Sequence, residues 1–70
     1  MNKNLDLVAF GQNIVALRKS KDLTQEALAE RSELDSSYIS GIERGVRNPS
    51  YLSLVRLANG LGVSLSRLFD

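Results

Sequence analysis

The stretch from Gln25 to Arg44 concentrates side chains made for hydrogen bonding: Gln25 at its start, Ser36, Ser37 and Ser40 beyond its middle, and Arg44 at its end, with Arg47 and Asn48 following. A carboxamide, hydroxyls and guanidinium groups donate and accept in place, without changing protonation. Catalysis has little to work with. The 70 residues hold no cysteine and no histidine, so the commonest general base and the commonest metal ligand are missing, as are thiolate metal sites and disulfides. No pair of acids is evidently held in a cleft, and we expect neither enzyme, metal, cofactor nor small-molecule substrate.

Those residues need a rigid support, and the apolar spacing indicates one. Leu7, Phe10, Ile14 and Leu17 recur at steps of three and four, predicting a helix over residues 5–20, with Asn4 or Asp6 as its cap and Arg18, Lys19 and Lys21 suiting its end. Thr24 then reads as the N-cap of a second helix running to about Ser32, with Leu23 and Leu28 placed as a hydrophobic staple. Ala27, Leu28, Ala29 and Leu34 form its buried side, and Glu26, Glu30 and Glu33 share an outer face. The start signal recurs with Asp35 as N-cap and Leu34 and Ile39 as the staple. A third helix over about 36–44 turns Ile39 and Ile42 inward, leaves Ser36, Ser37, Ser40, Gly41 and Arg44 outward, and stops at Gly45. Nine residues rise only ~13 Å, about what a DNA major groove accommodates. Ser50 caps a fourth helix on Leu54, Leu57, Ala58 and Leu61, ended by Gly62, and a short fifth carries Leu65, Leu68 and Phe69. The fold class is all-α: one compact five-helix domain spanning residues 1–70.

Length and charge agree with that reading. Seventy residues hold one domain, near the lower size limit for a core without metals or disulfides. The net charge of +1 is uninformative, but residues 22–35 hold five of the eight acids, and basic groups bracket them. Apolar runs are far too short for a membrane span. Met1 to Leu7 carries Asp6 and lacks the apolar core of a signal peptide, so a cytoplasmic protein is expected.

Two capped helices joined by a short turn, the second with a polar outer first turn, make a helix-turn-helix over residues 25–44. In that arrangement the second helix enters the major groove of double-stranded DNA. Each feature alone has a plainer role: the serines as capping groups, Tyr38 as a ring leaning on the surface, Arg44 as a cation at a helix end, and the acidic face as a solvated one. Only the joint pattern points to DNA.

On LRKSKDLTQEALAERSELDSSYISGIERGVRNPS followed by LVRLANGLGVSLSRLF, the chain resembles the lambda-repressor/Cro-like, or Xre, helix-turn-helix family over essentially its full length. Within it, LDSSYISGIERGVRN looks most like the controller proteins of restriction-modification systems, which are small homodimeric transcription regulators. The resemblance implies that Ser36, Ser37 and Ser40 face base edges. It places Gln25 on a phosphate beside the Thr24 cap, and Tyr38, Arg44, Arg47 and Asn48 near the DNA backbone. It also implies an ion pair between Arg18 and Glu43.

Two residues depart from the family pattern. Glu33 stands where relatives commonly hold a left-handed glycine, so the turn must either strain or take another geometry. Ser36 stands where relatives often carry Gln or Arg, long enough for bidentate base contact, which moves discrimination toward DNA shape, arginines and water.

A single small domain with few surplus charges is expected to act as a two-fold dimer on a palindromic operator. Leu52, Val55, Leu65, Leu68 and Phe69 are the interface candidates, some of which must instead cover the core. An antitoxin-like protein-interaction module is the competing function. It would be expected to add a toxin-wrapping segment, for which residues 1–70 offer no candidate. The Glu26, Glu30, Glu33 face suggests RNA polymerase as a further partner.

Overall fold

The computed structural model describes residues 3–70, with side chains from Asp6 onward. Four α-helices follow one another, α1 at Lys3–Ser20, α2 at Gln25–Ser32, α3 at Ser36–Glu43 and α4 at Tyr51–Leu61, and a 3-10 segment closes the chain at Leu65–Phe69. Among the described residues there is no strand. The all-helical architecture stands, but the expected fifth α-helix is corrected to that 3-10 segment. Its N-cap Ser64 makes no side-chain cap bond, and five residues close few i to i−4 hydrogen bonds, so the tighter 3-10 form is taken.

The core follows the apolar stripes. Ile14 from α1, Leu28 from α2, Ile39 from α3 and Leu57 from α4 are fully buried, with Phe10, Leu17, Ala29, Ile42, Ala58 and Leu61 around them. Leu68 is also fully buried. It belongs to the core of the chain and is withdrawn from the interface candidates, because the closing turn folds back onto α1 and α4. The start of α1 is a second correction: the helix already runs at Lys3, so neither Asn4 nor Asp6 is its cap. Asp6 lies in the first turn, where its charge complements the dipole, and the side chain of Asn4 lies outside the described residues.

Each later helix begins on a hydroxyl or carboxylate. Thr24 Oγ1 accepts from Ala27 N at 3.0 Å, Asp35 Oδ2 from Ser37 N at 3.0 Å, and Ser50 Oγ from Ser53 N at 3.1 Å. The helix ends are left-handed. Gly62 does this without a side-chain penalty at φ 72°, whereas Glu33 sits at φ 57°, ψ 41° after α2. The open alternative at that turn therefore resolves to modest strain. It is held by Leu34 N donating to Ala29 O at 2.9 Å and Glu33 N to Glu30 O at 3.2 Å. Asp22 takes the same conformation after α1.

Two glycines with no turn role set the helix separations. A Cβ on Gly11 would stand 2.5 Å from Ile42 O and 2.6 Å from Glu43 O, so α1 rides directly on the backbone of α3. At the other crossing a Cβ on Gly60 would meet Ser32 Oγ at 2.1 Å, which is why Ser32 is buried between α2 and α4. Among the described residues, no helix is long and apolar enough to cross a membrane.

Gly11→Ala gains helix propensity of about 1 kcal/mol, yet it must push α3 away from α1. Overpacking against backbone outweighs that gain, and we expect a net loss of about 1–3 kcal/mol, measured as a lowered midpoint in urea unfolding.

Candidate nucleic-acid interface

The residues singled out in the sequence converge on one side of the molecule. Thr24, Gln25 and Glu26 from the start of α2, and Ser36, Ser37 and Ser40 from α3, line an open concavity of about 500 Å³, with Arg18 at its floor. Thr24 and Ser37 are exposed, and Gln25, Ser36 and Ser40 are half-buried. The amides of Gln25 and Glu26 open the first turn of α2 and have no intrahelical acceptor, so they present donors to the same space.

Beneath this surface lies a network of buried charge. Arg18 Nε donates to Glu43 Oε2 at 2.6 Å and Nη2 donates to Oε1 at 3.1 Å, a two-point contact that joins α1 to the end of α3. The side chains are 13% and 4% exposed. Arg18 Nη1 also donates to Leu23 O at 2.9 Å, reaching the turn before α2. Gln25 Nε2 donates to Glu43 Oε1 at 2.8 Å. One carboxylate thus holds the guanidinium and the carboxamide together. The sequence offered no sign of the Gln25–Glu43 bond, because the two residues, 18 positions apart, lie on different helices with the Glu33 turn between them, so no helical spacing relates them. Gln25 keeps its second N–H and its carbonyl oxygen for an outside partner.

The first turn of α3 is tied down internally. The Ser37 hydroxyl donates to Asp35 Oδ2, the oxygen that caps the helix. The Asp35 carboxyl is thereby held below its ordinary value of 3.8, first by that hydroxyl, then by the Ser37 and Tyr38 amides, against a small opposing effect of burial. The Ser37 hydroxyl is therefore left only as an acceptor, while the Ser36 and Ser40 hydroxyls have no hydrogen bond among the described residues. The Tyr38 ring packs partly against the core, so the plainer of its two roles is present.

Beyond α3, Arg44, Arg47 and Asn48 are all exposed. Neither arginine takes part in an ion pair among the described residues. Gly41 departs from expectation: it is buried, not outward, because the Arg47 stem lies across it. Of the interface candidates, Leu52 is 57% and Phe69 58% exposed, Val55 and Leu65 are half-buried, and Tyr51, which was not foreseen, is 72% exposed. Phe69 stacks at 5.2 Å on the core residue Phe10, beside a largely apolar cleft of about 220 Å³.

The profile of the helix-turn-helix family HTH_3 matches residues 14–68. The chain belongs to this Xre/Cro-like family. It is 46% identical over 64 residues to control protein C.MunI of a Mycoplasma species, covering 90% of this chain and 86% of that protein. Control protein C.BamHI of Bacillus amyloliquefaciens is 41% identical over 71 residues, covering 100% and 86%. Among solved structures, the restriction-modification controller protein C.AhdI from Aeromonas hydrophila superposes with a TM-score of 0.91 at 48% identity, over 93% of this chain and 98% of that one. The matched residues include all of α2, the strained turn at Glu33 and α3.

Arg18→Ala leaves the Glu43 carboxylate buried without its cation. We expect a loss of about 3 kcal/mol or more, seen as a lowered melting temperature, and an unchanged melting temperature would remove the structural role of the pair. Acid acts on the α3 cap with a determinate sign. Because the folded carboxyl of Asp35 is lowered, its contribution is present above 3.8 and is lost as pH falls through the folded value. Asp35→Asn caps without titrating, so acidification should lower the melting temperature of the parent relative to that variant. A pH-independent difference would overturn the assignment.

Proposed function

We propose that this chain is a cytoplasmic, sequence-specific regulator of transcription. It binds double-stranded DNA as a homodimer on a palindromic operator and belongs with the controller proteins of restriction-modification systems. The observation that carries the proposal is the shared concavity. The start of α2, with its unpaired amides and Gln25, and the hydroxyl face of α3 line the same open concavity, which supports one surface meeting a phosphate and base edges together. The names of its relatives support the same reading.

Recognition divides by chemistry. Gln25, the Thr24-capped terminus, Tyr38, Arg44, Arg47 and Asn48 meet the sugar-phosphate backbone and set register, which is independent of sequence. Ser36, Ser37 and Ser40 meet base edges with short arms, so groove width and bending carry a large share of the discrimination. Dimerisation uses the exposed apolar surface of Tyr51, Leu52 and Phe69, with Val55 and Leu65 at its margin. The exposed Glu26, Glu30 and Glu33 face is the surface an RNA polymerase contact would use.

Selection from random duplexes tests the reading. The expected result is an enriched palindrome bound by a dimer, with an affinity that falls with salt by a slope of about −0.9 per phosphate contacted. Enrichment of no palindrome, or only monomers by ultracentrifugation at micromolar concentration on and off the DNA, would defeat it.

A further inference from the structure

Gly41 is the one glycine inside α3, in a helix whose other residues have side chains. A glycine there costs about 1 kcal/mol relative to alanine, so something must require the missing Cβ. The requirement is visible. A Cβ on Gly41 would stand 2.5 Å from Arg47 Cγ, 3.5 Å from its Cβ and 3.6 Å from its Cδ, and those are the three nearest atoms. The backbone joins in the same contact: Val46 N donates to Gly41 O at 3.0 Å and Arg47 N at 3.2 Å. Gly41 lies one turn beyond Ser37 on the face that carries the base-facing serines. The Arg47 stem therefore crosses the continuation of the reading surface, and the guanidinium is exposed and outside any ion pair among the described residues.

We propose that Gly41 is a positioning residue for DNA binding. Its bare Cα is the seat on which the Arg47 stem lies, and this holds the guanidinium at the end of the reading helix, ready for a phosphate. Displaced by a Cβ, the Arg47 stem must lie elsewhere, and the guanidinium keeps its charge but no longer stands where it meets the phosphate, so the contact and its affinity are lost. This rests on the DNA-binding reading above. It adds that the affinity contributed by Arg47 depends on a residue that touches no DNA.

The test exploits opposite signs. Gly41→Ala improves helix propensity and meets only a side chain that can swing away, so the melting temperature should equal or exceed that of the parent. Affinity for the duplex enriched by selection should fall roughly tenfold, with the salt slope reduced by about one per protomer. Arg47→Met keeps an unbranched stem and removes the charge, and it should show the same losses. In that background Gly41→Ala should cost nothing more. In the free protein, NMR contacts between the Gly41 α-protons and the Arg47 γ-protons should be present.

Parent-like affinity and slope in Gly41→Ala overturn the proposal. So does an equal loss from Gly41→Ala with and without Arg47, or absence of the NMR contact. If Gly41→Ala does not fold, the NMR contact and the Arg47→Met slope decide, since a seated phosphate-binding arginine requires both. A parent that binds no duplex defeats the DNA reading itself, and the proposal with it, before any substitution is made.

Discussion

Glu43 is the group on which the arrangement of the first three helices depends. Its carboxylate is almost completely shielded from water and would be strongly unfavourable there alone. Arg18 pairs with it at two points, and Gln25 donates to the oxygen that Arg18 Nη2 also uses. Helix α1, the start of α2 and the end of α3 therefore meet in one set of charge-assisted bonds. A buried pair of this kind adds little net stability over an apolar replacement, but it strongly penalises any arrangement that separates its members. The consequence is geometric: the start of α2 and the face of α3 keep a fixed relation, which a surface contacting a phosphate and base edges requires.

Close backbone approach completes that constraint. Gly11 lets α1 lie on the carbonyls of Ile42 and Glu43, next to the residue its own Arg18 must reach. Where the chain turns between α2 and α3, a left-handed residue is needed, and Glu33 supplies it at some cost in strain. Two backbone hydrogen bonds and the burial of Leu28 and Ile39 on either side hold it there. The energetic preference of one residue is small against the core that the turn makes possible.

The surface proposed to read DNA is short-armed. Ser37 spends its proton on the Asp35 cap, and Ser36 and Ser40 are half-buried. What reaches outward are the amides and carboxamide at the start of α2 and the two arginines after α3, which are in no ion pair among the described residues. Such a surface measures the spacing and path of phosphates more readily than it distinguishes base edges.

Much of this was legible in the residues. Thr24, Asp35 and Ser50 cap the helices they were expected to cap, Gly45 and Gly62 end them, and Leu28, Ala29, Ile39, Ile42, Leu57, Ala58 and Leu61 form the core as expected while Ala27 is only half-buried, because caps and periodicity act within one or two helical turns. The resemblance supplied the Arg18–Glu43 pair. What local pattern could not supply were relations across the fold. Gly11, Gly41 and Gly60 have no local reason to be glycine, and each is explained by an atom from another part of the chain. Leu68 and Phe69 are adjacent and both apolar, yet one is fully buried and the other 58% exposed. The closing segment forms a 3-10 turn, so its period had to be known before its inner and outer faces could be assigned. The sequence by itself determined that four α-helices form, where α2, α3 and α4 start and which side of each helix is apolar, since those depend on neighbours along the chain. Only the tertiary structure decided how closely the helices approach and what Glu43 and Gly41 hold in place, since those depend on atoms brought together by packing.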